Sequence, residues 1–413
     1  MPLKKDAFFN CTQEALDKLT EMYDLVWPID VSLRYMRNKV TAFASQSTVS
    51  LCPDDFVEEF DPQHRTHGVN YQRAFVFSGR NQLEKDENER KLEASQQENL
   101  AWLLLSNTIP IFEHWWNSLI DEVGFTGMNE SGMEFPTNPL DARKKGIKQQ
   151  IIELTTIESV AFRASFYDLY SSKKNHCDNL DQLNLCMYAY RLFKELRNCY
   201  MHSGGVVTNK RIDATTGDPW ITVAYNEYQN YVVAASSTTN VLGIEELPVF
   251  PTDFSVSLGS KLHITLRGVV GFSNIMRRIM LTVDSELIRS VQTEQYYLGK
   301  WSLLHSNHTN QFKLPINLDT IAYFKKVFGG EATSPDEFTR AKHSFDRKLE
   351  KTIKKYEYDS MIYLLNSTRI LVPHEIKDQM TDPMSAPAQY TLKLINNLLP
   401  FLKANNLIDS PVL

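Results

Sequence analysis

"LDQLNLCMYAYRLFKELRNCYMHSGG" runs from Leu180 to Gly205. Its apolar residues Leu183, Met187, Tyr190, Leu196 and Tyr200, with Phe193 between them, recur about one helical turn apart. That period marks a helix with one buried face. The spacing predicts a helix from Leu180 to Met201, stopped by Gly204 and Gly205, because glycine readily takes the left-handed conformation that closes helices. An amphipathic helix of this length needs other helices to cover its stripe, so the stretch commits its neighbourhood to a bundle.

The flanking sequence supplies those helices. Leu16, Leu19, Tyr23 and Val26 give a period over Thr12–Val26, ended by Trp27-Pro28. Gln82–Val123 reads as helix, first charged and then apolar, with Pro110 expected to kink or divide it. Ala142–Tyr170 carries a stripe of Ile147, Ile151, Leu154, Ala161, Ala164 and Leu169. Beyond Gly205 the residues change to Val, Ile, Thr and Tyr around Gly217-Asp218, which predicts hairpin strands through the Trp220–Tyr231 region. Helix returns over Ser273–Val291 and from Trp301 onward, where Ser334 is a cap and Pro335 suits a first turn. The expected fold class is mainly α: a helical bundle, a segment containing a β-hairpin, and a further helical C-terminal region. The expected division is 1–81, 82–205 for the bundle, 206–295 and 296–413.

Composition bounds the function. The chain has 413 residues and a formal net charge of -6, so no global field draws it to nucleic acid or an anionic membrane, and any polyanion site is a local patch. Basic clusters at Arg143-Lys144-Lys145, Lys173-Lys174 and Lys210-Arg211 flank the expected bundle ends and are the candidates for such a patch. The five cysteines show no CxxC spacing, which fits neither a disulfide framework nor a zinc ribbon. With no apolar h-region at the start and no run of about 18 apolar residues, the expectation is a reduced, cytoplasmic protein without membrane contact.

Arg197, Asn198 and His202 stand together at the end of the central helix. Read plainly, they are surface residues, with the imidazole favoured at the negative end of a helix dipole. Arg369 and His374 repeat the spacing, but Pro373 and an apolar residue after the arginine make that pair a chance match. The first set differs: a polar residue follows the arginine, an amphipathic helix precedes it and two glycines close it. Here the chain resembles the HEPN superfamily of helical domains, many of them ribonucleases, whose signature is an arginine, usually a polar residue after it, and a histidine four to six positions later. The resemblance covers roughly Gln82–Gly205.

What the resemblance implies is a metal-independent endoribonuclease, needing no cofactor, in which the RNA 2'-hydroxyl attacks the adjacent phosphorus. The products are a 2',3'-cyclic phosphate and a 5'-hydroxyl end. His202 would serve as general acid or base, Arg197 would stabilise the phosphate, and Asn198 would orient the imidazole. Five residues of ideal helix turn through about 140°, so Arg197 and His202 do not share a face. HEPN ribonucleases typically bring two copies together, which implies a homodimer with a composite site. Such enzymes occur in toxin-antitoxin, abortive-infection and CRISPR-linked defence, which implies a bacterial effector with an antitoxin or trigger protein as partner. The alternative is a catalytically inactive HEPN-like module that binds RNA, nucleotide or a protein.

Other candidates rank lower. His64 and His67, and His305 and His308, have a metal-like separation but no paired cysteines or acids nearby. Glu153 and Glu158 could pair with a base on the central helix, and "FVFSGRNQ" around Gly79 lacks a complete phosphate loop.

Overall fold

The computed structural model describes residues 6–31, 35, 89–123, 146–171, 176–233, 254–308, 312, 335–370 and 391–408. These are mainly helical. The helices are α1 (Asn10–Asp24), α2 (Glu89–Val123), α3 (Ile147–Leu154), α4 (Val160–Phe162), α5 (Asp168–Ser171), α6 (Leu180–Ser203), α7 (Trp220–Glu227), α8 (Leu266–Ile288), α9 (Val291–Asn307), α10 (Pro335–Ser367) and α11 (Leu399–Ala404). Three π-helical stretches, Arg163–Tyr167, Tyr228–Val233 and Leu394–Leu398, join or extend them. Among the described residues the only β pairing outside helices is the isolated bridges Glu158↔Ser290, Val206↔Lys261 and Ile212↔Pro219.

The chain divides into two compact units, each discontinuous in sequence. The first comprises Met1–Gln13, Trp116–Asp178 and Ile279–Leu413; the second comprises Glu14–Trp115 and Asn179–Arg278.

The first unit is organised around a buried aromatic cluster. Phe8 and Phe9 are fully buried. Phe8 meets Phe166 at 5.2 Å, Tyr297 at 5.4 Å and Tyr170 at 5.5 Å between ring centroids, mostly edge to face, the arrangement that ring quadrupoles favour. The backbone N–H groups that this docking buries are answered by carboxylates. Phe8 and Phe9 donate to the two oxygens of Asp284 at 2.6 and 3.0 Å, and Cys11 donates to Glu122 at 2.9 Å. Asp284 is itself 1% exposed. The bonds from these N–H groups replace the water its carboxyl oxygens lose on burial.

The expected single helix over Ala142–Tyr170 is interrupted, and residues 142–145 lie outside the described ones. Thr155 and Thr156 turn their hydroxyls back onto the carbonyls of Ile151 (2.7 Å) and Ile152 (2.8 Å), ending α3. Ser159 then starts α4 by accepting the Phe162 N–H at 3.1 Å. "TTIES" is thus a stop followed by a cap.

In the second unit α6 forms as its sequence predicts. Asn179 caps it by accepting the Gln182 N–H at 2.9 Å, and Leu183, Met187, Tyr190, Phe193 and Leu196 are buried. Phe193 stacks on Phe272 of α8 at 4.4 Å, Tyr190 meets Phe112 of α2 at 4.5 Å, and Tyr200 stacks on Trp102 at 4.3 Å. Pro110 does not divide α2. A proline inside a helix costs about 3 kcal/mol, and burial of Leu104, Leu105, Ile109 and Phe112 around it offsets that.

Trp220–Val233, expected as strand, is helical: α7 continued by the π-helical Tyr228–Val233. Ile221, Ala224, Tyr228 and Val232 are the buried positions. They recur at three and four residues, so tertiary packing follows a helical period that the β-branched and aromatic composition masked. The Gly217-Asp218 turn does form, with Asp213 N–H on the Asp218 carbonyl at 2.8 Å and Gly217 at φ 74°, but it spans one bridge rather than paired strands. The expected helix at Ser273–Val291 begins earlier, at Leu266, and Ser290 caps a new helix, α9. The cap expected at Ser334 lies outside the described residues.

Candidate functional site

The site is the C-terminal end of α6 and the chain that follows it. Gly204 adopts φ 61° and ψ 27°. Its N–H returns to the Tyr200 carbonyl at 2.9 Å and that of Gly205 to Cys199 at 3.4 Å. This left-handed glycine cap satisfies carbonyls of the helix's last turns and turns the chain sharply. Gly205 (φ 82°) then accepts from Leu262 N–H at 2.7 Å, while Val207 N–H donates to Ser260 at 3.0 Å. These bonds pin the segment after the motif, and residues 208–211 come back alongside the last turns of α6.

A shallow groove, open to solvent, lies between them. Asn198 and His202 of α6, Lys210 and Arg211 of the returning loop, and Trp220 at the start of α7 border it, with Glu195 at the base of the same helical face. His202, Lys210 and Arg211 are exposed, whereas Asn198 and Glu195 are 6% and 7% exposed. Two cations and an imidazole thus ring a depression whose interior polar groups are already engaged.

Those internal bonds form one network. Arg197 Nη1 donates to Asn198 Oδ1 at 3.1 Å, Asn198 hydrogen-bonds the Glu195 side chain, and Arg211 Nη2 reaches Glu195 Oε1 at 3.5 Å. Burial pushes the Glu195 carboxyl above its ordinary range, and Arg211, Lys194, Arg191 and Asn198 partly offset that. Cys199 also borders the groove and donates to the Val206 carbonyl at 3.2 Å. Burial, then the Glu195 charge, push its thiol up, so it is not a poised thiolate.

The placements of Asn198 and Arg197 bear on their expected roles. The Asn198 amide bonds Arg197 and Glu195 rather than the imidazole, and among the described residues no side-chain hydrogen bond reaches His202. The reason is burial. An interior amide must be satisfied by near groups, and Glu195, three residues back on the helix, lies within reach, while His202 stands in solvent. Arg197 does not border the groove, as the 140° offset along the helix requires. Its Nε is buried without a hydrogen-bond partner.

The remaining candidates sort plainly. Lys210 and Arg211 stand beside His202. Lys144, Lys145, Lys173 and Lys174, with Arg143, His64, His67, Gly79 and His374, lie outside the described residues. His305 and His308 sit against Phe312 and Tyr363 rings, and among the described residues no three His, Cys, Asp or Glu side chains converge as a metal set. Glu158 is paired with Arg163 and Arg289, and Glu153 with Gln149. Sequence reasoning missed Glu195, whose signal was its place three residues before Asn198, and misplaced Trp220 by assigning it to a strand.

The four described cysteines, Cys11, Cys177, Cys186 and Cys199, are free thiols. Among the described residues no helix is long and apolar enough to cross a membrane. No family model, curated protein or solved structure matches the chain.

Proposed function

We propose that the chain is a metal-independent endoribonuclease of HEPN type. The observation that carries the reading is His202: an exposed imidazole at a glycine-closed helix end, beside a groove rimmed by Lys210 and Arg211. In this reading His202 takes the proton from the 2'-hydroxyl or gives one to the departing 5'-oxygen. The 2'-oxygen forms its bond to phosphorus as the 5'-oxygen leaves, and cationic side chains hold the charge that builds on the phosphate. One imidazole supplies one of the two proton transfers. The HEPN resemblance supplies the other from a second copy, whose Arg197 would complete the site.

A second reading is favoured by one observation, the position of Arg197 away from the groove and bonded to Asn198. In it the bundle is catalytically silent and binds RNA, nucleotide or a protein partner. The two separate on purified wild type and His202→Ala incubated with total tRNA and mixed RNA in EDTA, with product ends mapped. The nuclease reading expects cyclic-phosphate ends from wild type and a loss of about 10²- to 10⁴-fold in the variant, whose circular dichroism is unchanged. Equal cutting by both proteins sinks it. So does cutting by neither, when cells expressing either one grow equally well.

A further inference from the structure

The groove carries more than the motif requires. Beside its polar and cationic groups the groove is lined by the apolar run Pro219, Trp220 and Ile221, and the Trp220 backbone N–H donates to the Arg211 carbonyl at 3.0 Å. Trp220 is only half buried. Its indole is held in place: Arg191 lies over the ring at 5.4 Å and is itself paired with Glu227 of α7. A fixed, partly open indole adjoining two exposed cations offers a planar apolar contact and an anion contact in one depression. The anion contact is available. Arg211 is 46% exposed in its side chain and meets Glu195 through one long contact of 3.5 Å, while the carboxylate keeps its hydrogen bond from Asn198 if Arg211 turns outward.

We propose that this groove is a subsite for one unpaired nucleoside of single-stranded RNA, its base against Trp220 and its phosphate on Lys210 and Arg211. A base inside a duplex cannot present its face to an aromatic side chain, whereas an unpaired one can. With His202 on the same groove, the nucleoside held at Trp220 adjoins the phosphate at which the imidazole acts. That last assignment rests on the nuclease reading; the binding does not.

The test uses the full-length protein and two fluorescent pentanucleotides of 2'-O-methyl RNA, which lack the attacking hydroxyl. One carries all its bases and the other is abasic at its three central positions. Anisotropy titrations of wild type are expected to show about tenfold tighter binding of the base-bearing strand, the scale of one base–aromatic contact. Trp220→Ala removes most of that difference. Lys210→Gln with Arg211→Gln weakens both strands alike. If Trp220→Ala does not fold, Trp220→Leu, which keeps an apolar side chain at that position, is read in its place. Equal binding of the two strands by wild type, no binding of either, or an undiminished difference in the folded Trp220 variant overturns the proposal. Base-dependent binding without cleavage of unmodified RNA sinks the nuclease reading and leaves the subsite standing. Cleavage with base-independent binding does the reverse.

Discussion

Asn198 is the residue on which the site turns. A single amide places its oxygen under Arg197 and hydrogen-bonds the carboxyl of Glu195, so two helix positions and the loop cation Arg211 share one network. Glu195 is the strained member, because burial pushes its carboxyl up. A folded carboxyl raised above its unfolded value, about 4.3, favours folding below that value and loses the contribution as pH rises through the folded one. Glu195→Gln removes the titration while keeping a side-chain hydrogen bond. Its melting temperature relative to wild type should therefore rise from about pH 4 to about pH 8. A difference that stays flat or falls across a series of thermal melts would show that Glu195 is not held in this way.

Helix ends account for most of what the elements do here. Gly204 sits in left-handed backbone with nothing within contact distance of an added Cβ, so the strain of a side chain there is conformational and not steric. Gly204→Ala should cost about 1–2 kcal/mol in chemical denaturation, and Gly204→Asn, whose residue tolerates that region, less. Equal costs for the two would remove the capping account. In the first unit, the start of α1 depends on Asp284, whose two oxygens accept the Phe8 and Phe9 N–H groups. Asp284→Asn offers one acceptor where there were two, and should destabilise the protein by about 1–3 kcal/mol, the price of an unsatisfied buried N–H. Local patterns foresaw some of these ends and not others. The Gly204-Gly205 stop was legible because glycine chemistry is local. The break at "TTIES" was not, since the apolar stripe continues on both sides of it.

At the scale of the whole molecule, a net charge of -6 makes any RNA binding a matter of a few well-placed cations. Each phosphate contact on a single strand contributes about 0.7 to the fall of log K with log salt. Replacing both Lys210 and Arg211 by Gln should therefore flatten that slope by about 1.4. An unchanged slope in binding titrations from low to moderate salt would mean that the RNA path lies elsewhere. The two-unit arrangement, each unit assembled from separate stretches of chain, has no counterpart in composition or period, because it depends on which distant helices bury one another's faces.

The amino-acid sequence by itself determined the helical class, the helix from Leu180 to about Met201 with its buried face, its glycine closure, and the clustering of Arg197, Asn198 and His202 at its end. All of these follow from interactions spanning a few residues. Only the tertiary structure decided the rest. It made Trp220–Val233 helical against its strand-like composition, returned Lys210 and Arg211 to the side of His202, turned Asn198 towards Arg197 and Glu195, and set Trp220 at the edge of a groove. Each of these outcomes depends on what a side chain meets from another part of the chain. Burial decides between conformations that local propensity leaves close in energy, and a buried amide takes the partners that folding brings within reach.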